Sequence, residues 1–341
     1  MSPGLVRRLR SAVPVVVACV LVAVTWDQVS SRLSPEVEGS EPFMAMFIGV
    51  LIALPLIILE STAFAERMRR FPFLAAILLK TVTYVGALSM IFLGVSFVVG
   101  TLEGLTMVDF VEAMPETFAM IAATFALYLL IIFFWQLDRL LGPGILLRYL
   151  TGQYHHPRRE RRIFMFVDIK GSTTLSERLS LEAYYGLVND FFRDVATPVL
   201  DSRGEIYEYV GDEVVITWRH EVGIRNANCI RGFFEIEKAV WEHSDRYLQR
   251  YGVVPEFKAG VHSGEVIAAE MGDLKKEIAF NGEVLNVAAR IQGECNRLGR
   301  RLLASRKLVD ELELPPELEA ESMGSVQLRG TKQPTEIVAF A

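Results

Sequence analysis

Four long apolar stretches occupy the first 136 residues and constrain the fold more than any other feature of the chain. They cover residues 11–26, 43–59, 71–99 and 118–136. A helix that crosses the roughly 30 Å hydrocarbon core of a bilayer needs about 20 apolar residues, because only a helix satisfies its own backbone hydrogen bonds in lipid. The sequence therefore predicts an all-α membrane domain with four transmembrane helices over residues 1–136.

Most of the arginines that flank the apolar stretches lie on one side of them. They precede the first and third stretches and follow the fourth, whereas the two loops on the other side are acidic. Because short cytoplasmic loops carry the excess of Arg and Lys, the N-terminus and the residues after the fourth stretch are expected in the cytoplasm. A cleaved signal peptide would explain only the first stretch. We expect a multi-pass protein of the cell inner membrane, in contact with lipid.

Residues after 136 have the composition of a soluble domain behind a short connector. The connector, residues 137–161, contains a Gly-Pro-Gly break that should end the preceding helix, and a short amphipathic helix should follow it. From residue 162 to 341 the order strand, helix, hairpin, helix, strand predicts an α+β domain of ferredoxin-like type, with helices on one face of a mainly antiparallel sheet. The predicted strands are 163–167, 206–210, 213–218, 256–262, 276–280, 325–329 and 336–340, and the later helices are 224–250 and 284–298.

Two carboxylates of this domain stand at turns. Asp168 ends a buried strand, before a turn of Gly171, Ser172 and Thr173 that opens a helix, and Asp212 lies at the tip of a hairpin. If the strands are adjacent, both carboxylates project over one edge of the sheet, where a hard cation such as Mg²⁺ would find oxygen ligands. A helix N-terminus beside them favours phosphate. Either aspartate alone could be an ordinary turn residue, so the prediction rests on the combination.

Four sequence blocks resemble the class III nucleotidyl cyclases, the adenylyl and guanylyl cyclase family. The blocks follow the family order, and the resemblance extends from about residue 162 to residue 341. They are Phe-Val-Asp-Ile-Lys-Gly-Ser-Thr at 166–173, Val-Gly-Asp-Glu at 210–213, Gly-Val-His-Ser-Gly at 260–264 and Leu-Asn-Val-Ala-Ala-Arg at 285–290.

The resemblance implies an enzyme that converts ATP to 3′,5′-cyclic AMP and pyrophosphate by a two-metal mechanism. It implies that Asp168, Asp212 and the backbone carbonyl of Ile169 bind two Mg²⁺ or Mn²⁺ ions in each active site. It also implies that Asn286 and Arg290 are the catalytic pair, in which the amide orients the ribose and the guanidinium neutralises charge on the phosphoryl oxygens. These two residues are one helical turn apart.

The same resemblance implies further substrate-binding residues. The turn at 171–173 and Lys258 would contact phosphates, as would Arg329 or Lys332, between which the sequence does not decide. Glu208 and Ala279 occupy the base-selecting positions. Adenylyl cyclases usually carry Lys at the first position and Asp or Thr at the second, whereas guanylyl cyclases carry Glu at the first. ATP is favoured, and GTP or relaxed selectivity stays open.

The family builds each site between two catalytic domains, and this chain carries both sets of residues once. A head-to-tail homodimer is therefore implied. The formal net charge of −6, without an evident basic face, argues against a nucleic-acid partner. Because the base-selecting pair is unmatched, a non-catalytic membrane sensor with a nucleotide-binding, cyclase-like domain is the alternative from another class of protein.

Overall fold

The computed structural model describes residues 20, 71–103, 114–142, 144–330 and 333–340. These residues form two compact units that divide at residue 142. The predicted stretches 11–26 and 43–59 lie outside the described residues apart from residue 20, and Lys332 lies outside them as well.

The N-terminal unit contains two long described helices, α1 (Phe73–Glu103) and α2 (Met114–Leu141). They overlap the predicted stretches 71–99 and 118–136. Within the described part of the chain, one helix is long and apolar enough to cross a membrane, over Phe73–Met90 with a mean hydropathy of 1.7, and α2 contains a shorter apolar run, Leu129–Asp138. A membrane domain of four helices stays a prediction.

The C-terminal unit, residues 143–341, alternates helices with strands as the sequence predicts. Its helices are α3 (Ile145–Leu150), α4 (Ser172–Arg178), α5 (Leu181–Asp201), α6 (His220–Ile224), α7 (Asn228–Glu242), α8 (Ser244–Tyr251), α9 (Glu283–Gly293), α10 (Cys295–Leu298) and α11 (Arg306–Val309). Its strands are β1 (Arg158–Ile169), β2 (Glu205–Val210), β3 (Glu213–Arg219), β4 (Phe257–Met271), β5 (Glu277–Asn281), β6 (Leu302–Ser305), β7 (Ala320–Val326) and β8 (Thr335–Phe340).

The strands form one sheet in the order β2-β3-β1-β4-β6-β8-β7, with β5 paired to the far end of β4. All neighbouring strands are antiparallel except β4 and β6, which are parallel. The α+β fold is therefore confirmed. The β2–β3 hairpin lies directly beside β1, so the ends of these three strands meet at one edge of the sheet.

Helices cover both faces of the sheet, and the prediction that they lie on one face was wrong. Ile163, Met165 and Val167 of β1 pack in the core with α5 and α7, whereas Phe164 faces the other side and packs in a cluster that includes Val284 and Ala288 of α9. The apolar run of β1 is continuous rather than alternating, which is the pattern of a strand buried on both faces.

Other predicted elements also differ from the structure: the strand expected at 256–262 extends to Met271, and the helix expected at 284–298 is divided into α9 and α10. The helix predicted at 224–250 is interrupted twice, at Asn226 and Ala227, whose φ values are 55° and 48°, and at His243 between α7 and α8. Strand β6 was not predicted. The strand expected at 325–329 lies earlier, at Ala320–Val326.

The connector helix α3 is anchored to the sheet by an ionic network. Arg148 of α3 donates two hydrogen bonds to the Glu205 carboxylate of β2, at 3.0 and 2.5 Å. Arg162 of β1 is fully buried and contacts Glu160 at 2.7 Å, Glu205 at 3.3 Å and the Tyr154 hydroxyl at 3.2 Å. Burial alone would raise the pKa of Glu205, but the two arginines lower it. The network therefore keeps the carboxylates of Glu160 and Glu205 ionised.

Replacing Arg162 with alanine is expected to destabilise the C-terminal unit by about 3 kcal/mol, because it removes the counter-ion that is hydrogen-bonded to Glu160 and leaves Glu205 with Arg148 alone. Amide hydrogen exchange of β1 to β3 in the full-length chain measures this loss. Arg159→Ala is the matched control on the same strand, since Arg159 is 81% exposed and pairs with Glu265 only at 3.9 Å. Equal loss of protection in both variants would contradict the role of the network.

Candidate active site

Asp168 lies between an acidic and a basic residue on adjacent strands. In the register of the sheet it faces Glu213 of β3 on one side and Lys258 of β4 on the other, so the three side chains share one face. Lys258 Nζ lies 3.3 Å from Asp168 Oδ2, and both side chains are mostly buried, with exposed fractions of 13% and 23%. This lysine is therefore beside the first predicted metal ligand.

Asp212 occupies the tip of the β2–β3 hairpin, directly before Glu213. Gly211 takes the left-handed conformation that the tight turn requires, with φ of 63°. Asp212 Oδ2 is buried and receives no hydrogen bond from the described residues. A buried carboxylate oxygen without a donor is costly, and a bound cation is one of the few partners that would remove the cost.

Burial and neighbouring acidic groups raise the pKa values of Asp168 and Glu213. Burial and the neighbouring Asp212 carboxylate raise the pKa of Asp168, and Lys258 opposes this rise. Burial, together with Asp168 and Asp212, raises the pKa of Glu213 to about 7, again against the effect of Lys258. One lysine does not balance three carboxylates, so the edge of the sheet attracts cations.

The donor set suits a divalent cation that keeps part of its shell for other ligands. The described residues contain no group of three or more His, Cys, Asp or Glu side chains placed to enclose a metal ion. Mg²⁺ is usually bound through one or two carboxylates, with substrate phosphates and water supplying the remaining oxygens. Asp168 and Asp212 fit this mode, and the backbone carbonyl of Ile169 follows Asp168 at the end of β1.

The turn after β1 leads into α4 beside this acidic edge. Gly171 is left-handed, with φ of 69°, and α4 begins at Ser172, so Thr173 lies in the first turn of the helix. Burial raises the pKa of Tyr184 on α5, as do the charges of Asp212 and Asp168, while a hydrogen bond with Ser172 lowers it. The turn and the two aspartates are thus close together.

Asn286 and Arg290 lie on the outer side of helix α9, apart from the two aspartates. Both are on α9; Asn286 is exposed and Arg290 is half-exposed, while Val284 and Ala288 of the same helix are buried against the sheet. Among the described residues neither makes a hydrogen bond or ion pair with Asp168 or Asp212. The Arg290 guanidinium lies against the loop after β7, where a Cβ added to Gly330 would be 3.4 Å from Nη2.

The remaining predicted site residues are spread over three regions. Arg329 is exposed on the loop that contacts Arg290. Glu208 is exposed on β2, and a β-bulge after Ile206 pairs it with Val215 of β3. Because Val215 packs with residues of α9, Glu208 lies on the same face of the sheet as that helix. Ala279 is half-buried on β5. The residues next to these two meet, since the Phe280 amide donates to the Tyr207 hydroxyl at 3.3 Å.

Three residues of the site were not assigned a role from the sequence. Glu213 is part of a recognised block, but its proximity to Asp168 follows only from the strand register. Tyr184 carries no motif. Gln292 donates from Nε2 to Asp168 Oδ2 at 2.9 Å across 124 positions of sequence. No local signal predicts such a contact.

A mainly antiparallel sheet covered on both faces, with two carboxylates at its edge and an Asn–Arg pair on an outer helix, is the arrangement of a class III nucleotidyl cyclase domain. The family described as "Adenylate and Guanylate cyclase catalytic domain" matches residues 155–340. The chain therefore belongs to this family.

Several known proteins are similar to the chain. It is 37% identical over 213 residues to "Adenylate cyclase 2" of Rhizobium meliloti (strain 1021), covering 62% of this chain and 58% of that protein. It is 23% identical over 184 residues to "Adenylate cyclase" of Anabaena cylindrica, covering 52% and 36%. The fold is similar to that of a bacterial light-regulated adenylyl cyclase, with a TM-score of 0.53 at 20% identity, over 67% of this chain and 64% of that one.

Proposed function

We propose that the chain is a nucleotidyl cyclase that converts ATP to 3′,5′-cyclic AMP and pyrophosphate. The observation that carries the proposal is the acidic edge formed by Asp168 and Asp212, with Lys258 at 3.3 Å from Asp168, in a chain of the cyclase family. The preference for ATP is supported by the names of the two similar proteins, which are both adenylate cyclases.

Two Mg²⁺ or Mn²⁺ ions in each active site would be held by Asp168, Asp212 and the backbone carbonyl of Ile169. The buried Asp212 Oδ2, which receives no hydrogen bond in the described part of the chain, and the raised pKa values of Asp168 and Glu213 support this assignment. When bound, the ions would lower the pKa of the ribose 3′-hydroxyl and neutralise phosphate charge.

The residues of the chain would bind and orient the nucleotide for an in-line reaction. Lys258 supplies a positive charge beside Asp168 for the phosphates, and the Gly171-Ser172-Thr173 turn offers backbone N–H groups. Arg329, on the loop that contacts Arg290, would approach the phosphates of the site that Arg290 enters, and Lys332, outside the described residues, is the other candidate. The ribose 3′-oxygen attacks the α-phosphorus and the bond to the departing pyrophosphate breaks.

The catalytic pair would come from a second copy of the chain. Asn286 and Arg290 face outward on α9, away from the buried face of the helix that packs on β4. A head-to-tail homodimer would bring this outer face to the aspartates of the partner and create two equivalent sites. In each site, Asn286 would orient the ribose and Arg290 would stabilise charge on the phosphoryl oxygens. Both side chains would act as preorganised hydrogen-bond donors.

The membrane part of the proposal follows the sequence. We assign residues 1–136 to a membrane domain of four transmembrane helices, 137–161 to a connector and 162–341 to the catalytic domain, with the N-terminus and the catalytic domain in the cytoplasm. The apolar helix over Phe73–Met90 is consistent with this assignment. Tethering two copies in one membrane raises their effective concentration and favours the dimer.

The decisive experiment is turnover of ATP and of GTP by the full-length chain, with Mg²⁺ and with Mn²⁺. Cyclic AMP is the expected product. If neither nucleotide is cyclised, the cyclase proposal fails and the nucleotide-binding sensor is the alternative to test next. Predominant cyclic GMP would support the guanylyl cyclase alternative, which Glu208 favours because a carboxylate accepts hydrogen bonds from the guanine N1 and N2 donors.

Glu208→Lys is expected to raise the ratio of ATP to GTP turnover by about tenfold, because a base-contacting group that no longer matches guanine leaves polar atoms unpaired. The measurement is kcat/KM for both nucleotides. Glu235→Lys is the control, since Glu235 is exposed on α7, on the other face of the sheet. An unchanged ratio in Glu208→Lys would exclude contact between residue 208 and the base.

A further inference from the structure

Gln292 is a buried polar residue whose contact lies in the acidic edge. Its side chain is on α9 and the residue is 7% exposed. Nε2 donates a hydrogen bond of 2.9 Å to Asp168 Oδ2. Buried amides are retained where their hydrogen bonds are satisfied, so this contact fixes both the glutamine and the carboxylate that accepts from it.

Gly260 allows α9 to approach close enough for this contact. A Cβ added at Gly260 would lie 2.1 Å from the backbone nitrogen of Gln292 and 2.5 Å from the carbonyl oxygen of Ala288. Gly260 pairs with Phe166, two residues before Asp168 on β1. The helix is therefore in backbone contact with the sheet beside the carboxylate.

Gln292 and Lys258 both contact the same oxygen of Asp168. The amide donates to Oδ2 and the ammonium lies 3.3 Å from the same atom. Neither contact uses Oδ1. A carboxylate held at one oxygen by two donors has a fixed plane, and its second oxygen is oriented without further rotation. The amide does this without adding a charge to a site that already contains three carboxylates.

We propose that Gln292 is a positioning residue for Asp168: it orients the carboxylate of its own chain for the divalent cation. The inference rests on the proposed function, because it assigns Asp168 to metal binding. It assigns Gln292 no contact with the nucleotide. Outer partners of metal ligands typically contribute about 10-fold to 100-fold in metal affinity or activity.

In the proposed dimer, the two faces of α9 serve different active sites. The outer face presents Asn286 and Arg290 to the site of the partner, whereas Gln292 faces Asp168 of its own chain. Loss of the amide should therefore impair only the site to which its own chain contributes aspartates. General damage to α9 would instead impair the site to which that chain contributes Arg290.

Heterodimers with a single working site separate these cases. Two differently tagged full-length chains are co-expressed, one with Asp212→Ala and the other with Arg290→Ala, and the doubly tagged dimer is purified. Its one intact site takes aspartates from the Arg290→Ala chain and Asn286 and Arg290 from the Asp212→Ala chain. Gln292→Met, which keeps the length of the side chain and removes the donor, is then added to either chain.

We expect about a tenfold loss of turnover when Gln292→Met is in the chain that supplies the aspartates, and less than a twofold change when it is in the other chain. Equal loss from both placements, or no loss from either, would overturn the proposal. Gln249→Met serves as control because Gln249 is exposed on α8.

Mn²⁺ binding to the full-length chain, measured by electron paramagnetic resonance without nucleotide, tests the proposal independently of turnover. Gln292→Met is expected to raise the Mn²⁺ dissociation constant about tenfold. An unchanged constant would overturn the positioning role. If the parental heterodimer is inactive while each wild-type homodimer is active, the shared site of the proposed function is wrong, and the Mn²⁺ constant alone decides the role of Gln292.

Discussion

Asp212→Asn is expected to reduce cyclic-nucleotide formation by about 10³-fold or more and, without bound cation, to stabilise the folded chain. The loss of turnover corresponds to about 4 kcal/mol of transition-state charge stabilisation that a metal held by Asp212 would provide. The gain in stability has a separate origin. Asp212 Oδ2 is buried and has no donor among the described residues, and the Asp212 charge repels Asp168 and Glu213. An amide removes one negative charge and can donate to a neighbouring carboxylate, so a gain of about 1 kcal/mol is expected.

The pH dependence of stability follows from the same charges. The raised pKa of Glu213, about 7 against an ordinary value of 4.5, means that the folded chain holds this proton more tightly than the unfolded chain. The stability of the cation-free wild type should therefore fall as the pH rises from about 4.5 through about 7. Asp212→Asn should flatten this dependence, because one of the charges that raises the pKa is removed.

Thermal unfolding of the full-length chain with and without Mn²⁺ measures both effects. The wild type should gain stability with Mn²⁺ because the ion binds only the folded state, whereas the variant should not. Asp273→Asn, on the exposed loop between β4 and β5, is the control. Turnover within tenfold of the wild type would contradict the metal-binding role, and a less stable variant without cation would contradict the argument from repulsion.

Gly260→Ala is expected to destabilise the C-terminal unit by about 3 kcal/mol or more and to reduce turnover by about 100-fold or more. The added methyl group would meet backbone atoms of α9 at 2.1 and 2.5 Å, which no change of rotamer relieves. The helix must move away from the sheet. Such a shift separates Gln292 from Asp168 and displaces Asn286 and Arg290, and misplacement of about 1 Å can cost 100-fold in rate.

Gly293→Ala is the matched control at the end of the same helix. A Cβ at Gly293 meets no atom of the described residues within 4 Å, so this change should be neutral or stabilise α9 by up to about 1 kcal/mol. Amide hydrogen exchange in α9 and β4 measures the stability of the C-terminal unit, and formation of cyclic AMP from ATP measures turnover. Equal behaviour of the two alanine variants would show that the close approach at Gly260 does not govern the position of α9.

The strands around the site were predictable because local chemistry specifies them. β1 is a continuous apolar run that ends at Asp168, and Gly211 with Asp212 marks the hairpin. The short strand β6 was missed because its four buried residues, Leu302–Ser305, carry no alternation and follow a helical segment closely. The break at Asn226 and Ala227 was missed because neither residue is Gly, the residue that most often marks a left-handed backbone, and a single Asn is a weak signal for that conformation.

The location of α9 could not be read from the sequence alone. Its apolar residues give a helix with one buried side, but they do not say which face of the sheet that side meets. The answer depends on Gly260, 32 positions before Gln292, and on whether a strand is buried on both faces. The motif residues Asn286 and Arg290 were recognisable from their block, whereas Gln292 became interpretable only once β1 and α9 were in contact.

The separation of the acidic edge from the outer face of α9 sets how activity would respond to gene dosage in the proposed dimer. A copy that lacks only its aspartates still lends a working Arg290 to its partner, so total output would fall in simple proportion to the share of normal copies. A copy defective in both halves spoils every site it enters, and output would follow the square of that share. In the proposed dimer, a copy that lacks only its aspartates therefore lowers output in proportion to its share, whereas a copy defective in both halves also inactivates the sites of its normal partners.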